Sequence, residues 1–208
     1  MRGISEIIAG KRVRWAASLA VFLFSIFVSA PSDSAETQGP RFHLVDQDGQ
    51  HVTEADFSDK AAVVHFGFTH CPVVCPTTLV EITDWIGRLG DRANDVRFVF
   101  VTVDPARDSP QQLKEYLASF DNRIVGLSGS MKDITALADG LGAQFDRREV
   151  EPGDVVISHS LLGFLMRPGW QKKGAIYMGS DARAEAVGNS LEDLVSTKLR
   201  NGEVMAPR

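Results

Sequence analysis

Two short apolar runs constrain the fold of this chain more than any other feature. Residues 61–68 and 96–103 are rich in valine and phenylalanine and are bounded by turn-forming residues. They are too short for buried helices, and they read as strands covered on both faces. Between and after them the apolar spacing becomes helical. Leu79, Ile82, Trp85, Ile86 and Leu89 recur at intervals of three and four before Gly90, and Leu113, Tyr116, Leu117 and Phe120 repeat the pattern. Ser109-Pro110-Gln111-Gln112 offers a capping hydroxyl, a proline at the first helical position and a glutamine for a capping box. Ser130-Met131-Lys132-Asp133 opens another helix to Gly140, and Ser190-Leu191-Glu192-Asp193 a terminal one. Residues 124–127, 155–166 and 175–178 are the remaining strand candidates. Near the start, residues 42–45 and 50–52 flank Asp46-Gln47-Asp48-Gly49, a hairpin signal. Strands alternating with helices predict an α/β fold, a sheet with helices on both faces.

An N-terminal segment stands apart from this pattern. Lys11, Arg12 and Arg14 precede an apolar run, residues 15–30, interrupted only by serines. A basic flank before such a run is a targeting segment whose charged end stays cytoplasmic. The run is shorter than the ~20 residues that span a bilayer comfortably. Val28-Ser29-Ala30 has the form of a cleavage site, but Pro31 follows it. A retained anchor and a cleaved signal both stay open, with the anchor favoured. Either exports the body, to a bacterial inner membrane facing the periplasm or to the periplasm itself. The expected division is therefore 1–35, signal or anchor with the start of a polar linker, and 36–208, one domain. The chain's 208 residues are enough to bury one substantial core after that segment.

Charge narrows the partners. Residues 1–35 carry four basic and two acidic side chains, leaving 18 Lys+Arg against 25 Asp+Glu in the body. Such a surface repels phosphate backbones, so no nucleic-acid partner is expected.

Cys71 and Cys75, the two cysteines, form a Cys-x-x-x-Cys at the first strand-to-helix junction. Open α/β sheets place function at such carboxyl ends of strands. Pro76 lacks an N–H, so the helix is expected to start near it, with Cys75 at or just before the N-terminus. The helix dipole there lowers a thiol pKa. Helical spacing would set the two Cα atoms about 6 Å apart, towards the wide end of the roughly 4.4–6.8 Å that disulfides adopt. Two thiolates on one ion sit around 4 Å apart, given metal–sulfur bonds of about 2.3 Å. A Cys71–Cys75 disulfide and a metal site are both open. A purely structural staple is the weaker alternative, because closing so small a ring restrains little.

A metal site needs a third donor, and His43, His51, His65, His70 and His159 are the candidates. His65 lies in the buried strand and reads as a satisfied core histidine. His43 and His51 flank the hairpin and read as exposed, and His70 reads as orienting the cysteine loop. His159 stands in Ile157-Ser158-His159-Ser160, and local sequence alone does not single it out. Asp104, Arg107 and Asp108 read as a charge-paired turn near the site.

Three motifs together resemble the Sco/SenC family. They are Phe66-Gly67-Phe68-Thr69-His70-Cys71-Pro72-x-x-Cys75-Pro76, Val103-Asp104-Pro105-x-Arg107-Asp108-Ser109-Pro110 and Ser158-His159-Ser160, within residues 40–165. The resemblance implies a thioredoxin-like fold, a central mixed sheet flanked by helices, with an extra N-terminal hairpin. It implies copper as cargo, Cu(I) with Cu(II) as a second state, held by Cys71, Cys75 and His159. Thiolate and imidazole donors suit Cu(I). The implied role is that of a metallochaperone, more a transfer protein than an enzyme, in assembling the copper centre of cytochrome c oxidase. Its partners would be a copper-accepting oxidase subunit or another copper chaperone, and a thiol reductant. The alternative is a membrane-tethered thiol–disulfide oxidoreductase, with Cys71 and Cys75 as a redox-active pair keeping a partner's copper-ligand cysteines reduced. A peroxiredoxin would share the fold, but the threonine-proline approach to its reactive cysteine is missing. Two departures remove negative charge near the metal. Val73 stands where the family has an acidic residue, and Ser158 where it has aspartate. Residues 167–174 also depart from the family's usual hairpin and read as a solvated turn, with a recognition loop as the alternative.

Overall fold

The computed structural model describes residues 37–151, 154–178, 189–191 and 193–194. The targeting segment, the boundary at 35/36 and the limits of the terminal helix lie outside the described residues. Among the described residues, no helix is long and apolar enough to cross a membrane.

The chain runs through β1 (Thr37–Gln38), β2 (His43–Asp46), β3 (His51–Thr53), β4 (Ala61–Gly67), α1 (Val74–Leu89) and β5 (Val96–Thr102). It continues through α2 (Pro110–Leu117), β6 (Ile124–Ser128), α3 (Met131–Leu141), β7 (Phe145–Glu151), β8 (Asp154–His159), β9 (Leu162–Arg167) and β10 (Gln171–Tyr177). Eight strands form one sheet in the order β1-β10-β9-β4-β5-β6-β2-β3, and β7 pairs with β8 in a separate ribbon. β4, β5 and β6 run parallel, while the other neighbours are antiparallel. This is the mixed sheet of a thioredoxin-like α/β fold, and the β2–β3 hairpin is joined to it through β6.

The two apolar runs occupy the centre of the sheet because both faces are covered. Every residue of β4 is buried. On one face Val63, Phe98 and Phe100 meet Leu79, Ile82, Trp85 and Ile86 of α1 and Leu113 and Leu117 of α2. On the other, Val64, Phe66, Val99 and Val101 meet Ile134, Leu137 and Leu141 of α3. Each large apolar side chain so buried is worth about 1.5–3 kcal/mol. The capping hydroxyls act as the sequence implies. Ser109 accepts from the Gln112 N–H at 3.2 Å and Ser130 from the Asp133 N–H at 3.1 Å. Helical residues 189–191 and 193–194 add Leu191 and Leu194 to the α1 face.

Three expectations change. Residues 155–166, expected as one strand, divide at Ser160 and Leu161 into strands of different sheets. The break is held on both sides: Ser160 N–H donates to Gln144 O at 2.8 Å, and Met178 N–H donates to Leu161 O at 2.7 Å. β7 was not expected, because Asp146-Arg147-Arg148-Glu149 has no apolar alternation; its extended form comes from the ladder with β8. Residues 167–174 form the β9–β10 hairpin rather than a solvated turn. Trp170, at φ 57°, turns inward and is 1% exposed. Its ring lies 5.4 Å from Phe42 and 6.2 Å from Phe57, and its Nε1–H donates to Pro40 O at 2.8 Å.

Trp170 therefore links the β9–β10 turn to the chain entering β2. Trp170→Ala is expected to lower stability by about 3–5 kcal/mol, read as a lower urea midpoint. A loss under 1 kcal/mol would mean that the indole does not brace this end of the sheet.

Candidate metal centre

The site begins where β4 ends. Val103 N–H donates to Gly67 O at 2.8 Å, carrying the parallel pairing just past the strand. Gly67 leaves no room for a side chain: a Cβ there would lie 2.6 Å from the Phe100 ring and 3.0 Å from Cys75 Sγ. The loop from Thr69 to Val73 then crosses to α1.

A buried carboxylate holds that loop. Asp108 accepts from Thr69 N–H at 3.0 Å, from Thr69 Oγ1 at 2.6 Å and from Thr102 Oγ1 at 2.6 Å, while its own carbonyl accepts from Ser128 Oγ at 2.8 Å. His70 stays on the surface, its Nδ1 3.0 Å from Thr69 Oγ1 and 3.6 Å from Asp108. It sits beside the Thr69–Asp108 contact that anchors the loop. Asp108 does more than pair charges in its own turn. Among these residues the Arg107 partner is Asp104, which Arg147 of β7 also approaches at 3.9 Å.

α1 starts at Val74, so Cys75 lies inside its first turn. Val73 provides no side-chain cap. Instead the Cys75 N–H points at Cys71 Sγ, 3.4 Å away. Cys75 is fully buried and Cys71 half-buried, both as free thiols. Burial pushes the Cys75 thiol far up, with the neighbouring Cys71 and Asp108 adding to the rise. The shift runs opposite to the lowering expected from the sequence, and desolvation of the buried sulfur is its main cause.

His159 arrives from the other ribbon, at the end of β8. Its Nδ1 lies 3.2 Å from Ser160 O, a group that only accepts, so the proton sits on Nδ1. Nε2 then presents a lone pair 3.2 Å from Cys75 Sγ, across 84 positions of sequence. Cys71, Cys75 and His159 together bring two sulfurs and a ring nitrogen within 4.8 Å of one another. Among the described residues, no other histidine joins this group. His159 packs edge-on against Phe68, and burial lowers its pKa. An open cleft of about 370 Å³ lined by Phe145, Asp146, Ser158 and His159 reaches it from the ribbon side. On the other side Val73 and Val74 stand exposed beside Cys71.

His65, expected as a satisfied core histidine, is only half satisfied. Its Nδ1–H donates to Leu162 O at 3.2 Å, but the buried Nε2 has no hydrogen-bond partner in the protein. Its ring lies 5.8 Å from that of His159. Period-2 burial could locate His65, but which nitrogen finds a partner depends on β9, and that pairing is not local.

Burial holds His65 down to about 4, against the smaller opposing effect of the Leu162 hydrogen bond. A histidine in the unfolded chain titrates near about 6.5, so unfolding takes up a proton between these values. In the metal-free protein this group's contribution is complete above pH 6.5, declines as pH falls, and is lost below pH 4. Its size is roughly 3 kcal/mol. Urea midpoints measured from pH 7.5 to 4 are expected to fall less steeply for His65→Phe than for the native chain. Equal slopes would show that folding does not exclude that proton.

The SCO1/SenC family model matches residues 30–195. Protein SCO1 homolog 1, mitochondrial, of Arabidopsis thaliana is 36% identical over 139 residues, 66% of this chain and 42% of that protein. Protein SCO2, mitochondrial, of Saccharomyces cerevisiae is 32% identical over 176 residues, 74% of this chain and 58% of that one. The structure of Bradyrhizobium japonicum ScoI with copper bound superposes with a TM-score of 0.67 at 33% identity, covering 76% of this chain and 99% of that one. The chain spans about half the length of the curated relatives it matches. The extent of the family match, together with these relatives, shows that the chain belongs to the SCO1/SenC family.

Proposed function

We propose that this protein is a copper carrier, in which Cys71, Cys75 and His159 hold Cu(I) and deliver it during assembly of the copper centre of cytochrome c oxidase. The observation that carries the reading is the meeting of two sulfurs and one unprotonated imidazole nitrogen within 4.8 Å. The donor set fits the cargo. Two thiolates and one imidazole are soft enough to favour Cu(I), and three donors leave a position for an incoming ligand. Cys75 gives up its proton as the ion arrives, so loading is coupled to proton release. The half-buried Cys71 and its exposed valine neighbours form the side from which a partner's ligand can enter. Cu(II), the second state, is less well served, because Val73 and Ser158 leave the lip without the family's acidic groups. That lip would meet an apolar patch on the accepting oxidase subunit or on another copper chaperone.

A thiol–disulfide oxidoreductase would need an attacking thiolate. The seat of Cys75 against His159 supports the carrier reading instead. A Cys71–Cys75 disulfide is the oxidised, unloaded state in this scheme, and a thiol reductant restores the donors. The domain belongs on the periplasmic side of the inner membrane, with residues 15–30 as its anchor, or free in the periplasm if that segment is cleaved.

The full reduced chain is expected to bind one Cu(I). His159→Ala should weaken binding by at least about 10-fold, and Cys71→Ala or Cys75→Ala by more, since each removes a donor of a three-donor set. Titration against a competing chelator reads this directly. Unchanged affinity in His159→Ala would remove histidine from the set.

In a deletion strain, His159→Ala should fail to restore oxidase activity while Cys71 and Cys75 still cycle between thiol and disulfide. Thiol exchange needs only the two sulfurs, whereas copper retention needs the third donor. Full rescue by a variant that no longer holds copper would make the oxidoreductase the better reading.

A further inference from the structure

The β2–β3 hairpin carries a second pair of metal-ligating side chains. In its register Leu44 faces Val52, His43 faces Thr53 and Val45 faces His51. His43 and His51 are thus diagonal neighbours on one face, opposite the buried Leu44. Both are exposed, and their ring centres lie 5.4 Å apart. With metal–nitrogen bonds of about 2.0 Å, two imidazoles on one ion have ring centres roughly 4.5–6.4 Å apart as the angle at the metal opens from about 90° to about 180°. The observed separation falls inside that range, so small side-chain rotations can turn a nitrogen of each ring onto a shared ion.

The backbone that sets this spacing is firmly held. Asp46 Oδ1 accepts from Asp48 N–H at 2.9 Å and from Gln50 N–H at 2.8 Å, which fixes the turn and with it the register. Below the pair, Asp56 accepts from Thr53 N–H at 2.8 Å and Glu54 from Phe42 N–H at 3.1 Å. Leu44 is fully buried, and β2 is hydrogen-bonded to β6. Little backbone freedom is lost when an ion brings the rings together, which is what makes a two-donor chelate more than two separate histidines.

We propose that His43 and His51 form a second metal site, an imidazole-only site for a divalent late first-row ion, with Cu(II) as its preferred occupant. Imidazole is a borderline donor suited to copper, zinc and nickel, and Cu(II) stands highest in the affinity order of divalent ions. The site is separate from the cysteine centre. β2 and β3 lie three and four strands from β4 in the sheet, which at about 4.8 Å per strand is roughly 14–19 Å. Lacking thiolates, it competes less well than the cysteine centre for Cu(I), which soft sulfur donors favour.

The test titrates Cu(II), against glycine as competitor, into the full chain with Cys71→Ser and Cys75→Ser, so that no thiolate competes. The expected result is one Cu(II) with nitrogen hyperfine couplings in its paramagnetic resonance spectrum. His43→Gln and His51→Gln should each weaken it by about 10-fold or more, and the double variant by no more than about twofold beyond either, because a chelate fails when either arm is lost. Repeating the series with Cys71→Ala and Cys75→Ala guards against a serine background that does not fold. Affinity within twofold of the parent in the double variant would overturn the proposal, as would independent losses that simply add. Neither outcome depends on how the cysteine centre is used.

Discussion

The arrangement of this site rests on one buried carboxylate. Asp108 is fully enclosed, and a charge in that position is tolerated only because several donors converge on it. Those donors come from different parts of the chain: Thr69 from the cysteine loop and Thr102 from the end of β5, while Ser128 of β6 holds its backbone. One side chain thereby fixes the cysteine loop against the parallel core of the sheet. Losing the carboxylate would leave the two threonine hydroxyls and an amide without their acceptor, and unmade buried hydrogen bonds cost more than made ones return.

The second half of the centre is brought in by a polar ribbon. β7 and β8 are paired with each other and not with the main sheet, and β8 ends at His159. Arg147 extends from β7 toward Asp104, close in sequence to Asp108. The electrostatic contacts that seat the ribbon and those that seat the cysteine loop therefore meet in one short turn. His159 reaches Cys75 with its proton already committed to Ser160, so its free lone pair faces the sulfur.

Burial raises the Cys75 thiol, and Cys71 and Asp108 add to the rise. Its sulfur lies 3.2 Å from the Nε2 of His159. Losing the proton there carries a desolvation cost that something must repay. In the proposed carrier, an ion bound by both sulfurs and the imidazole meets that requirement.

What the sequence by itself determined was local. The apolar runs at 61–68 and 96–103 could only be enclosed strands, the spacing in α1 and α2 could only be helical faces, and Ser109 and Ser130 announced their caps, because each depends on neighbours within a turn or two. The Cys-x-x-x-Cys pair marked the site for the same reason. His159 was singled out only by its resemblance to a family, since nothing within a few residues of it marks it as a ligand. Tertiary structure decided the rest. β7 is extended because β8 pairs with it, residues 155–166 break because Gln144 and Met178 hold the break, and Trp170 turns inward because Phe42 and Phe57 wait there. His65 keeps an unpartnered nitrogen and the Cys75 thiol is raised for a related reason: desolvation is set by everything packed around a group, and most of that packing comes from distant parts of the chain.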